Sequence, residues 1–155
     1  VIFLKLTANK NPSLDNDYVD LRYRELTPEI HQIMSLCENS STFIIGELNK
    51  KKVNIDIHDV FYIEWVESKS CICTANEVFT SAVTLSRFEE LLVMSHFIRI
   101  SKSFLVNIFK IRSVSSGINM KLTAELINGE NVIVSRHYRD KLLSDIHQLS
   151  KGAGK

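Results

Sequence analysis

The chain has 155 residues, of which 45% are hydrophobic and 24% charged, with a formal net charge of +1. That length predicts one domain with a substantial core, and no apolar run approaches the ~18 residues that would span a bilayer. Val1–Leu4 is too short for a signal-peptide core, so the expected location is the cytoplasm.

Residues 1–40 read as a strand-helix piece ahead of the main fold. Val1–Leu6 and Tyr18–Leu26 have strand character; Val19, Leu21 and Tyr23 alternate with Asp20, Arg22 and Arg24. The Asn/Asp/Ser/Pro-rich Asn9–Asp17 between them reads as a loop. Thr27-Pro28-Glu29 is a helix start, with a capping hydroxyl, a proline at the first helical position and an acid in the first turn. Ile30, Ile33, Met34 and Cys37 follow at helical spacing, and Asn39-Ser40-Ser41 ends the helix. This piece is expected to pack on the core or on a partner subunit.

From Phe43 onward the pattern is mostly strands. Phe43–Leu48 and Lys52–Ile57 flank Asn49-Lys50-Lys51, and Val53, Ile55 and Ile57 alternate with Asn54, Asp56 and His58. Phe61–Val66, Cys71–Ala75 and Val78–Ser81 follow, the first two separated by Glu67-Ser68-Lys69-Ser70. Thr84–Met94 reads as a helix with Leu85, Phe88, Leu91 and Leu92 on one face and Glu89 and Glu90 on the other. Phe97–Asn107 has two apolar anchors, Ile98/Ile100 and Phe104-Leu105-Val106, around a polar tip, Ser101-Lys102-Ser103. Ile111–Ser115 and Asn119–Ile127 read as strands, and Asn128-Gly129 marks a tight hairpin to Asn131–Ser135. Tyr138–Leu149 closes the fold as a helix with Leu142, Leu143, Ile146 and Leu149 on its stripe. Residues 150–155 read as a disordered tail.

The small net charge hides an asymmetry. Residues 97–155 hold ten lysines and arginines against four acids, a balance of +6, which leaves −5 for residues 1–96. A basic half suggests a polyanionic partner. No enzyme motif is present: there is no Gly-rich phosphate loop, no His-Glu-x-x-His and no Gly-x-Ser-x-Gly. Cys37, Cys71 and Cys73 lack a second His or Cys pair at ligand spacing, so they read as buried reduced thiols rather than a metal site.

The order of three pieces, Ile63-Glu64 beside a strand-turn-strand, Phe97–Asn107, and Asn128–Tyr138, resembles the LytTR family of bacterial DNA-binding domains. Its members carry an I-E pair, a helix, F-x-R-I-x-[KR]-S-x-L-V-N, then N-G-x-x-[IV]-x-V-S-R-x-Y and a final short helix. The resemblance covers residues 41–149. It implies an α+β, mostly antiparallel, elongated β-fold with short flanking helices. It also implies promoter binding by strand-end loops, rather than a recognition helix, set into successive grooves. Carried over by position, Lys69 and Ser70 match the first contact loop. Ser101, Lys102 and Ser103 match the central one, and Arg136 and His137 the third. Arg136 or His137 would reach guanine N7 or O6; Lys69, Arg99 and Lys102 would meet phosphates. Arg112, Lys121 and Arg139 stand in reserve.

Residues 1–40 are too few for a phosphoacceptor domain, so the resemblance is to the branch of the family that lacks one. The implied partner is double-stranded DNA with direct repeats; a homodimer and a partner membrane protein are open. No cofactor and no metal are implied. An alternative remains a β-rich interaction or ligand-sensing module that does not bind DNA.

Overall fold

Alternating side chains build two antiparallel sheets in this protein. The computed structural model describes residues 4–14, 17, 19–38, 43–92 and 95–153, and the chain divides into two units, Val1–Cys37 and Glu38–Lys155.

In the first unit, helix α1 spans Pro28–Glu38. It starts as its sequence dictates: the Thr27 hydroxyl accepts a hydrogen bond from the Ile30 amide at 3.3 Å, satisfying one of the first-turn donors. Hydrogen bonds from its own backbone and from Thr27 hold the Glu29 carboxyl below its ordinary range. Ile30 is buried, Ile33 and Met34 are half-buried, and Cys37 is exposed rather than buried. The expected strands do not form among the described residues of 4–10 and 19–27. Alternation supplies an apolar face, but a strand also needs a ladder partner for its backbone groups, and Val19 and Tyr23 stay exposed. Residues 1–3, 15, 16, 18, 39–41, 93 and 94, which these readings also covered, lie outside the described residues.

Among its described residues the second unit holds ten strands: β1 Phe43–Leu48, β2 Lys51–Asp56, β3 Val60–Val66, β4 Lys69–Thr74, β5 Val78–Ser81, β6 Phe97–Ser101, β7 Phe104–Asn107, β8 Ile111–Ser116, β9 Leu122–Leu126 and β10 Asn131–Val134. Helix α2, Leu85–Leu91, lies between β5 and β6, and helix α3, Arg136–Ala153, closes the unit. Seven strands pair in the order β2-β1-β5-β4-β3-β7-β6; the other three pair as β10-β9-β8.

Two cores follow from the two faces of the larger sheet. Ile44, Ile55, Ile63, Ile72, Phe79 and Leu105 pack with Leu85, Phe88 and Leu92. On the other face, Ile98, Ile100 and Val106 pack with Leu122, Ala124, Leu126, Val134 and Leu142. Strands β3, β7 and β6 are therefore covered on both sides, and truncating Leu105, fully buried among them, to Ala is expected to cost ~2–5 kcal/mol of stability. No side chain of β1, β2, β4 or β5 joins the second core. This explains why Phe43 is 56% exposed and Ile45 58%. Gly46 is required in β1 because a Cβ there would stand 2.6 Å from Ile55 Cδ1 and 2.7 Å from Phe79 Cβ.

Element ends differ from expectation in physical ways. Leu91 and Leu143 are exposed, each one position off its buried stripe. The β9–β10 connection is longer than a two-residue turn: the Leu126 amide donates to Glu130 O and the Gly129 amide to Leu126 O, with Gly129 at φ +87°. Helix α3 begins two residues earlier than expected and continues through the presumed tail to Ala153; residues 154 and 155 lie outside the described residues.

Candidate nucleic-acid interface

The register places three polar tips at one end of the unit. Lys69 opens β4 opposite Val66, after a two-residue turn in which Glu67 (φ 47°) and Ser68 (φ 65°) are left-handed. Strand β3 pairs with β7 through Glu64 and Phe104, and the Trp65 amide donates to Ser103 O at 2.8 Å. The β6–β7 tip thus lies at the same end as Lys69, displaced by two to three strands, ~12 Å at ~4.8 Å per strand. The Ser135 amide donates to Ile100 O at 2.9 Å, which brings the start of α3 beside that tip. Ser101, Lys102, Ser103, Ser135, His137 and Tyr138 line one shallow cleft.

The central tip is held stiffly. Arg99 is the clamp: Nε donates to Glu89 Oε2 at 2.8 Å, Nη1 to Lys102 O at 2.7 Å and Nη2 to Ser86 Oγ at 3.2 Å. Its side chain is only 14% exposed. The Ser101 hydroxyl accepts from the Ser103 amide at 3.3 Å. The expectation that Arg99 meets a phosphate is therefore corrected: its fork is occupied by helix α2 and by the tip's own backbone. Glu89, read as part of a solvated face, is the carboxylate that neutralises it. Their ten-residue separation gave no sequence signal, because only folding lays α2 over β6.

Ser70 is also corrected. It is fully buried, and its hydroxyl donates to Val83 O at 2.6 Å. It pins the chain that leads into α2 and offers no side-chain surface to a ligand. Lys69 and Lys102 are exposed, and among the described residues neither is ion-paired with a carboxylate. Arg136 and His137 are exposed in the first turn of α3 rather than in a loop, with the His137 ring edge-on to Tyr138 at 5.0 Å.

The reserve cations separate. Arg112 is committed elsewhere, donating to Ile127 O at 2.8 Å and pairing with Glu125 at 3.4 Å. Lys121 is exposed at the tip end of the smaller sheet, and Arg139 Nη1 donates to Met120 O at 3.4 Å. Cys71 and Cys73 lie on β4. Burial pushes the Cys73 thiol up to about 11; burial, with Cys73 and Glu130 adding to it, raises the Tyr62 hydroxyl as well. Both groups stay protonated at neutral pH, which suits an inert sheet interior.

The β-scaffold sets three polar tips along one edge, and comparison with known proteins gives its family. A model described as the LytTr DNA-binding domain matches residues 50–147, so the chain belongs to the LytTR DNA-binding domain family. It is 26% identical over 123 residues to the sensory transduction protein LytT of Bacillus anthracis, covering 79% of this chain and 46% of that one. The chain thus spans just under half the length of that relative. It is 25% identical over 137 residues to an uncharacterized HTH-type transcriptional regulator of Staphylococcus aureus (strain NCTC 8325 / PS 47), covering 87% of this chain and 92% of that protein. A solved LytTr DNA-binding domain from Bacillus cereus superposes with a TM-score of 0.63 at 26% identity, over 67% of this chain and 98% of that chain. The mostly antiparallel fold is therefore the family's.

Proposed function

We propose that this chain is a sequence-specific DNA-binding transcription regulator that sets its strand-end tips into successive grooves of promoter DNA. One observation carries the reading: Lys69, the Ser101-Lys102-Ser103 tip and the Arg136–His137 helix start share one end of the fold, joined by the Trp65–Ser103 and Ser135–Ile100 backbone bonds. Lys69 and Lys102 neutralise phosphates and set register. Arg136, on the rigid first turn of α3, reaches a base edge, with guanine as the preferred acceptor. The clamp by Arg99 supports this division of labour, since a stiff tip loses little entropy on docking. Two copies would occupy direct repeats.

The test is selection of duplexes from a random pool by the full chain at moderate salt. The expected result is an enriched motif, paired at about one helical turn (~10.5 bp), whose affinity falls steeply with salt. Retention of no duplex at any salt concentration would overturn the proposal and favour the interaction-module reading, for which the exposed Phe43 and Ile45 offer a surface.

A further inference from the structure

We propose that Ile118 and Met120, on the loop between β8 and β9, form a fourth contact element that reads thymine methyl groups beside the Arg136 contact. The inference rests on the DNA-binding reading above and adds a specificity determinant to the same edge.

The loop's position follows from pairing. Ser116 and Val134 both pair with Leu122, so residues 117–121 leave the smaller sheet at the end where Ser135 and α3 begin. Arg139, in the first turn of α3, ties the two together by donating to Met120 O. The loop is closed on itself: the Gly117 amide donates to Lys121 O at 2.8 Å and the Lys121 amide to Ile118 O at 3.3 Å. Asn119 (φ 58°) and Met120 (φ 62°) are both left-handed, a conformation that asparagine accepts readily but that is uncommon for methionine. The result is a short, closed projection.

What it projects is unusual for a solvent loop. Ile118 is 84% exposed and Met120 65%, within a five-residue turn that carries Lys121 and is touched by Arg139 from α3. A single exposed apolar side chain means little. Two on one closed tip, flanked by Lys121 and Arg139 and tied to the first turn of α3, fit a partner that offers apolar points between rows of anions. Duplex DNA has that pattern: the C5-methyl of thymine stands in the major groove between phosphate rows. Lys121 then neutralises a phosphate while Ile118, with Met120 beside it, covers a methyl.

The test uses the best duplex selected by the full chain. Each thymine is replaced in turn by deoxyuridine, which removes the methyl alone, and binding is compared for the wild type, Ile118→Ala and Met120→Ala. Loss of one methyl contact is expected to weaken wild-type binding about fourfold. The expectation is a loss of this size at one or two thymines next to the Arg136-dependent base, and no further loss at those positions in Ile118→Ala. Since Ile118 is exposed, the variant should melt with the wild type. Equal deoxyuridine penalties in wild type and variant, no penalty anywhere, or a selected site without thymine there would overturn the inference, leaving the Lys102 and Arg136 assignments standing. Ile118→Ala weakening a protein partner's binding but not DNA binding would overturn it too. Failure to select any duplex overturns both readings.

Discussion

Two hairpins of the larger sheet are turned in the same way and carry lysines, yet they face opposite ends of it. Asn49-Lys50 (φ 52° and 63°) and Glu67-Ser68 (φ 47° and 65°) are both two-residue left-handed turns, the type whose twist suits flanking strands. The first brings Lys50, Lys51 and Lys52; the second brings only Lys69. Glu47, Thr80, Cys71, Glu64 and Phe104 form one row across five strands. Along β1 the chain runs from that row toward Lys50; along β4 the residues toward Lys69 lie on the other side. The richer lysine cluster thus points away from Lys102 and Arg136. Register, rather than the number of cations in a stretch, locates the proposed binding edge.

That contrast is tested most strongly at the third tip. Arg136→Ala is expected to cost ~1–3 kcal/mol of binding and to relax preference at a single base pair, read by repeating the pool selection with the variant. An equal loss on every duplex would demote Arg136 to a phosphate contact.

The clamp gives the next largest effect and a test of sign. Glu89→Gln removes a negative charge near the edge, so simple charge counting forecasts tighter binding. The structure forecasts the reverse. Without its carboxylate, a mostly buried Arg99 loses its strongest partner, the hold on Lys102 O loosens, and DNA affinity falls by ~1 kcal/mol, since immobilising a loosened tip carries an ordering cost of that size. Titration of one duplex with wild type and Glu89→Gln decides between the two.

Lys102→Ala should act more evenly. Removing one phosphate contact lowers the magnitude of the slope of log K against log salt by ~0.9 for B-DNA and weakens binding to all sequences alike. A sequence-dependent loss would show that Lys102 touches a base.

How much of this was legible beforehand depends on range. Alternation exposed the strands because it is local: Val53, Ile55 and Ile57, or Ile98 and Ile100, announce their own buried face. Asn128-Gly129 announced a turn, and Thr27-Pro28 a helix start, for the same reason. The Ser101-Lys102-Ser103 turn was legible because its polar residues sit between two apolar anchors, whereas Arg136-His137 begins α3 rather than forming a loop. Ser70 and Arg99 were misread because their partners, Val83 and Glu89, are 13 and 10 residues away. Burial of a serine and engagement of an arginine arise only when α2 and its lead-in settle on the sheet. Phe43 is exposed because a strand's second face is core only where another layer covers it, and the smaller sheet reaches only β3, β7 and β6. The described residues of the N-terminal segments show the converse: alternation without a ladder partner makes no strand there.

The smallest expected effect is the one that bears most directly on the comparison. Replacing Lys50, Lys51 and Lys52 together by alanine removes three exposed cations, more than any other change considered. If DNA met the protein by net charge, the salt slope should fall by ~2.7, three contacts at ~0.9 each. Because those lysines stand beyond the Glu47–Thr80 row from the tips, only long-range attraction is lost, and at 0.15 M ionic strength the ~8 Å screening length removes most of that. The slope should stay within measurement scatter of the wild type, and the selected motif should be unchanged. A slope change approaching the three-contact value would move the interface to the β1–β2 end and leave Lys69, Lys102 and Arg136 without their assigned role.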